Sequence, residues 1–277
     1  MIKQSIFMLF VAVALMQPTP QKNKDSKIEE QIKSFIPELQ GATERGRLLY
    51  EYDLAAWHGT DAVLALKPQQ ENVKGYIGQK IEGRWTFAFG KFNESKDRFL
   101  ITYQAVQGGK STEFTASKLD TPKEDNAYYF FAMCARQLAY ADFNSSAHNR
   151  QYNIAVLPAP AGQWYVYILP AQTINGVFPL GGDFRYLISA DGKTIVEIHK
   201  MHQSILEIDT RNTPPHTEAG YHTHILSDLP EDSDVFHVLT RTPSYPELVS
   251  TPKYMFRIET DGTMPISVIK DLSKKKK

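Results

Sequence analysis

The stretch Trp85-Thr-Phe-Ala-Phe-Gly-Lys-Phe92, followed after a polar turn by Arg98-Phe-Leu-Ile-Thr-Tyr-Gln-Ala-Val106, decides the class of fold. Large apolar side chains recur at every second position of both segments, which is the period of a β-strand with one buried face. The residues between them, Asn93 to Asp97, are polar residues typical of a turn. The sequence therefore predicts an antiparallel hairpin over residues 85–106.

Helical patterns precede this hairpin. Apolar residues between positions 28 and 39 recur at spacings of three and four, which predicts a helix that starts near Lys27. We expect Pro37 to break this helix, because proline lacks the backbone N–H that a helix interior needs. A second helix is expected to begin at Thr43, whose hydroxyl can cap a helix N-terminus, and to end near residue 54 or 61.

Helix and strand signals alternate after the hairpin. The apolar run 124–143 predicts a helix, and 230–240 a second one that opens with proline and acids. Short strands are expected at 112–116, 152–157, 163–169, 184–189, 194–199 and 253–259. Residues 204–208 are expected to extend the sheet formed by 184–189 and 194–199. The prediction is an α+β protein with N-terminal helices and an antiparallel sheet in a lobe over residues 18–150, and a second lobe over 151–277.

The composition excludes several classes of protein. Lysine plus arginine and aspartate plus glutamate both count 31 among 277 residues. No broad basic field is therefore expected to attract nucleic acid or an anionic membrane surface. Cys134 is the only cysteine, which excludes an intramolecular disulfide.

The first residues read as a targeting segment. Lys3 precedes an apolar run over 5–16, which is shorter than the roughly 20 residues that a transmembrane helix needs. Ala12-Val13-Ala14 offers a cleavage site with small residues at both outer positions. These features predict a cleavable signal peptide over residues 1–17 and an extracytoplasmic protein, periplasmic or secreted, without stable membrane insertion.

Six of the eight histidines lie between His199 and His237. His222 and His224 are two positions apart, so on a strand both imidazoles project from the same face and can bind one zinc ion. Asp234 follows at the start of the predicted helix and offers a third ligand, which leaves one position for water, as in catalytic zinc sites. The alternatives are histidines that pack or form hydrogen bonds, and an acid that the helix dipole favours.

The segment Gly220-Tyr-His-Thr-His-Ile-Leu-Ser-Asp-Leu-Pro230-Glu-Asp-Ser-Asp234, with the apolar helix and the strand that follow it, resembles the JAB/MPN metalloprotease superfamily. The resemblance covers the C-terminal region only. It implies a JAB-like mixed α/β region and a zinc ion held by His222, His224 and Asp234. It also implies hydrolysis of a peptide or isopeptide bond, with an upstream glutamate as the general base.

The segment departs from the family pattern at two positions. Ile225 stands where the family has proline, and Glu231 where the family has a serine that helps to hold the oxyanion of the reaction. Of the properties that the resemblance implies, hydrolysis is the one that the missing serine argues against most. We assign the general base to Glu197, on a strand shortly before the motif, with Glu207 and Glu218 as the alternatives.

His202 and His237 are expected to orient the zinc ligands through their second ring nitrogen, and ordinary polar roles are the alternative. Three functions stay open from the sequence. The first is metal-dependent hydrolysis of an amide bond in a peptide or protein ligand. The second is a non-catalytic extracytoplasmic binding or interaction protein on a JAB-like fold, and the third is a metal-free structural domain.

Overall fold

The computed structural model describes residues 30–31, 33–144, 150–266 and 269–272. The expected signal peptide over 1–17 lies outside the described residues, as does the start of the first expected helix. Among the described residues, no helix combines the length and the apolar character needed to cross a bilayer.

One long helix, α1 (Ile36–Leu64), replaces the second predicted helix. Residues 33–34 are helical and Phe35 is a turn, so the helical structure is interrupted just before Pro37. The N-cap at Thr43 was wrong, because Thr43 lies inside α1. Pro37 occupies the first turn of α1, where a missing N–H costs nothing, and the helix runs on without interruption.

Four antiparallel strands form the first sheet, in the order β1-β2-β3-β4. They are β1 (Gly75–Ile81), β2 (Arg84–Phe92), β3 (Phe99–Gln107) and β4 (Phe114–Asp125). The predicted hairpin is confirmed as β2 and β3, in which Phe89 pairs with Tyr103. β4 is longer than expected because its second half is an exposed, polar edge strand. The next helix, α2 (Tyr128–Asn144), therefore begins at residue 128 instead of 124.

Two further sheets follow. Their strands are β5 (Tyr152–Pro158), β6 (Trp164–Pro170), β7 (Val177–Gly181), β8 (Phe184–Ile188), β9 (Ile195–Lys200) and β10 (Ile205–Asp209). One sheet has the antiparallel order β5-β6-β8-β9, as expected for those four segments. The expectation for residues 204–208 was wrong: β10 leaves this sheet and pairs with β7, a strand that the sequence analysis missed.

The last sheet contains a parallel pair. In chain order the elements are β11 (Gly220–Thr223), α3 (Asp232–Thr240), β12 (Glu247–Ser250), β13 (Tyr254–Ile258) and β14 (Lys270–Asp271). β11 is parallel to β12, and β12-β13-β14 are antiparallel. The predicted helix at 230–240 and strand at 253–259 are confirmed as α3 and β13, so the whole chain is a mixed α+β protein.

Shared cores connect these elements. One apolar cluster combines Ile77 and Phe99 of the first sheet with α2 and with Val166 of the second sheet, so residues from both sides of position 150 bury one another. A second cluster joins Leu39 of α1, Val235 of α3 and the sheet of β12 and β13. α3 is thus held between α1 and the sheet to which β11 belongs.

Candidate metal centre

Four buried side chains converge between β11 and α3. They are His202, His222, His224 and Asp234, and each offers one ligand atom within 4.8 Å of the other three. All four residues are at most 7% exposed. This group, called the His3Asp group below, could hold a metal ion.

The ligand atoms lie at the distances that a shared metal ion imposes. The Nε2 atom of His224 is 2.9 Å from that of His202 and 3.2 Å from that of His222. The Nε2 atoms of His202 and His222 are each 3.0 Å from Oδ1 of Asp234. Ligands about 2.0–2.1 Å from one ion are separated by about 3.0 Å at right angles and about 3.3 Å in a tetrahedron, so the spacing fits.

The local fold explains the convergence. His222 is buried on β11 and Thr223 beside it is exposed, so the alternation of the strand brings His222 and His224 to one side, as predicted. The backbone N–H of His224 donates to the carbonyl of Ser250 and so continues the pairing with β12. Asp234 comes from the first turn of α3.

Asp183 fixes the position and orientation of His202. Its backbone carbonyl accepts from the N–H of Met201 at 3.1 Å, and its Oδ1 atom lies 2.8 Å from Nδ1 of His202. The preceding residues, Gly181 and Gly182, have φ of 90° and 65°, a conformation that glycine adopts without strain. The turn at Gly181 and Gly182 therefore positions the carboxylate that orients His202.

Every histidine of the group has an acceptor at its other ring nitrogen. Besides Asp183 at His202, Oε1 of Glu247 lies 2.9 Å from Nδ1 of His222. The carbonyl of Leu229 and Oγ of Ser227 each lie 3.1 Å from Nδ1 of His224. Carboxylates and carbonyls only accept, so the Nδ1 atoms carry the hydrogens. The three Nε2 lone pairs therefore point at one another and at Asp234, an arrangement that needs a metal ion or protons between them.

The electrostatics of the group favour positive charge. Burial lowers the pKa of His202, but Asp234 and Asp183 outweigh it and raise that pKa to about 11. The same balance, with Asp234 and Glu247, raises the pKa of His222 to about 9. Burial raises the pKa of Asp234, yet the three histidines hold it well below its usual value. The metal-free group therefore takes up protons, and a metal ion would displace them.

A separate ionic cluster holds α3 in position. Asp232 is fully buried and accepts hydrogen bonds from Arg45 of α1, with Nη2 at 2.8 Å, and from the hydroxyl of Tyr167 at 2.8 Å. Arg185 of β8 also donates to Asp232. Because these contacts link α1, the second sheet and the first turn of α3, they also fix the position of Asp234.

The sequence-based site is only partly reproduced. His222, His224 and Asp234 come together as expected, but His202 lies among the ligand atoms instead of behind them. His237 is buried and its Nε2 atom lies 3.3 Å from Nη1 of Arg241, and burial and this arginine lower its pKa to about 3. Glu197 is exposed on β9 and, in the part of the chain that the structure describes, has no hydrogen bond or ion pair to the His3Asp group.

Sequence reasoning missed the outer partners Asp183 and Glu247. Asp183 follows two glycines in a turn, and Glu247 lies on β12, a strand too short and too mixed to be recognised. Glu247 also accepts from Nη1 of Arg241 at 2.7 Å, and both side chains are buried. No local pattern marks these two acids, because only the fold brings Asp183 to His202 and Glu247 to His222.

A cleft of about 250 Å³ leads to the group. Its walls include His202, His222 and His224, and its rim carries the exposed side chains of Ile225 and Leu226. Among the described residues that line the cleft, none is an aspartate or a glutamate. The histidines therefore line a cleft whose other described side chains are partly apolar and partly neutral polar, such as Gln203 and Thr223.

Comparison with models of known families, with curated proteins and with solved structures gives no match.

Proposed function

We propose that this chain is a zinc protein whose ion is bound by His202, His222, His224 and Asp234. One observation supports it: three Nε2 lone pairs, each fixed by an acceptor at Nδ1, converge on one carboxylate. The Nε2 atoms lie 3.0–3.1 Å from its oxygens, and that of His224 lies 2.9 and 3.2 Å from the other two. Zinc prefers imidazole nitrogen with carboxylate oxygen and is usually four-coordinate, which the group matches in type and number.

The zinc ion would join three segments: the turn after β9, the end of β11 and the first turn of α3. Four protein ligands are typical of a structural zinc site, whereas catalytic sites keep one position for water. The absence of an acid among the described residues of the cleft argues in the same direction. We therefore favour a non-catalytic binding or interaction protein, in which zinc stabilises the C-terminal region.

We also propose that the C-terminal region is related to the JAB/MPN superfamily. His222-x-His224, a loop and Asp234 on the following helix occur in the family's order, and this helix connects the parallel strands β11 and β12. His202, as a fourth ligand, is a departure from the family. Export through the 1–17 leader is also a proposal, and the N-terminal mass of the protein recovered from the periplasm or the medium tests it.

Amide hydrolysis is the second candidate, and the cleft is the observation that favours it. An apolar side chain of a peptide fits a 250 Å³ opening rimmed by Ile225 and Leu226. A bound zinc ion polarises a carbonyl, provided that one ligand position is exchangeable. Hydrolysis also needs a base, and an exposed Glu197 would have to reach the cleft.

Metal content of the purified protein tests the zinc site. We expect about one zinc per chain, lost in His222→Ala and in Asp234→Ala and kept in His216→Ala, whose histidine is exposed outside the group. Zinc should also raise the unfolding temperature of the wild type and of the His216 variant only. A wild-type protein that takes up no zinc when it is supplied would overturn the proposal.

A peptidase assay on the zinc-loaded protein then separates the two roles. Turnover that His222→Ala abolishes would favour hydrolysis, and Glu197→Gln would report whether Glu197 is the base. Zinc-dependent stability without turnover would favour the structural role.

A further inference from the structure

A second cavity lies on another side of α3. It encloses about 550 Å³ between α1, the strands β5 to β7 and α3, and no member of the His3Asp group lines it. Phe236 and His237 of α3 face it, together with residues of α1 such as Asp53 and Trp57. A volume of this size accommodates a small organic molecule.

The cavity contains a carboxylate without a partner. Within the described part of the chain, Asp53 has no hydrogen bond and no ion pair, and burial alone raises its pKa to about 6. Asp61 lies on the same wall, while no lysine or arginine is found among the described lining residues. The lowered pKa of His237 keeps that side chain neutral at physiological pH. The described lining therefore carries two carboxylates and no cationic side chain. Arg150 lies beside it, with its Nη2 atom donating to the carbonyl of Ala171, but it is paired with Glu207.

Aromatic side chains form much of the remaining wall. They are Trp57, Tyr76, Phe178 and Phe236. Trp57 leaves 64% of its surface exposed although it is the largest apolar side chain at the cavity. Faces of aromatic rings attract organic cations, and the attraction grows when water is excluded. A carboxylate and several aromatic rings that line one cavity form the combination that recognises substituted ammonium groups.

We propose that this cavity binds a small organic cation, an amine or quaternary ammonium compound, with its charged nitrogen at Asp53 and its alkyl groups against the aromatic wall. A metal ion fits less well, because hard cations need several oxygen ligands converging on one point, and the group of described residues that could hold a metal does not include Asp53. The amide side chains of Gln151 and Asn153 supply hydrogen bonds for a polar end of the same molecule.

Matched cationic and neutral probes test the proposal. The probes are choline and n-butylammonium, and their neutral counterparts are 3,3-dimethylbutan-1-ol and butan-1-ol. Titration calorimetry and tryptophan fluorescence of the wild-type protein should give a dissociation constant for at least one cation in the millimolar range or below. The neutral counterpart should bind at least about tenfold more weakly, since it lacks the attraction to Asp53.

Two variants locate the site. Asp53→Asn should weaken cation binding at least about tenfold, and Glu44→Gln, an exposed residue of α1 outside the cavity, should leave it unchanged. Circular dichroism establishes that both variants are folded. The proposal is overturned if neither cation binds up to about 50 mM, if the neutral probes bind equally well, or if Asp53→Asn binds the cation as the wild type does.

Discussion

Replacement of Asp53 by asparagine should stabilise the protein, and more so at high pH. Burial raises the pKa of Asp53 from 3.8 to about 6, so the folded chain holds this proton more tightly than the unfolded chain does. Stability therefore falls as the pH rises through the interval between these two values, and stays at the lower level above it. Asparagine has nearly the same shape and no charge, which removes this loss.

The size of the effect follows from the two pKa values. A shift of about two units at about 1.4 kcal/mol per unit gives at most about 3 kcal/mol at pH 8. At pH 5, where the folded chain is still mostly protonated at Asp53, the same relation gives about 1.6 kcal/mol. Asp53→Asn should thus gain about 1.4 kcal/mol more over the wild type at pH 8 than at pH 5. Solvent that enters the cavity screens the charge of Asp53 and makes the stability change smaller at both pH values.

Urea unfolding at the two pH values measures this difference. A chelator in every sample keeps the His3Asp group free of metal, so that its own protonation is common to the wild type and the variant. Glu44→Gln is the control, because Glu44 is exposed on the same helix. A free energy of unfolding that Asp53→Asn changes equally at both pH values, or lowers at pH 8, would refute the reasoning.

Three further predictions concern the metal centre and the packing of α3. Asp183→Asn should weaken zinc binding about 10–100-fold in a chelator competition, because His202 loses the carboxylate at its Nδ1 atom; an unchanged affinity contradicts this. Gly46→Ala should cost about 1–3 kcal/mol in thermal unfolding, since its Cβ would lie 2.5 Å from the carbonyl oxygen of Asp232; a stabilised variant would show that α1 and α3 can separate freely. Asp232→Ala should cost about 3–5 kcal/mol, as it leaves Arg185 partly buried without its partner, and a loss below about 1 kcal/mol would count against the ionic cluster.

Local patterns explain which elements could be predicted. The hairpin of β2 and β3 was found because its apolar side chains alternate and its strands are neighbours in the sequence. β1 contains two glycines and a lysine among seven residues, and its pairing with β2 is what makes it a strand. β12 has four residues, and its parallel partner lies more than twenty positions earlier. Pairing between distant segments leaves no period in the sequence, so these two strands were missed.

The same distinction applies to the metal centre. His222 and His224 could be paired from the sequence because a strand fixes residues two apart to one face. His202 lies in a turn, where no period tells which way a side chain points. Its direction depends on Asp183, nineteen positions earlier, and on the turn of Gly181 and Gly182. For this reason the sequence placed His202 behind the ligands, whereas the structure brings it among the four candidate ligand atoms.

Asp234 shows why a local interpretation and a functional one need not exclude each other. From the sequence it was either a metal ligand or an acid that the start of a helix favours. Its Oδ2 atom accepts from the backbone N–H of Glu231 at 2.7 Å and so caps α3, while its Oδ1 atom faces His202 and His222. The cap fixes the rotamer of the carboxylate, and the positive end of the helix dipole stabilises its charge. The hydrogen bond that caps α3 therefore also orients the carboxylate oxygen that faces His202 and His222.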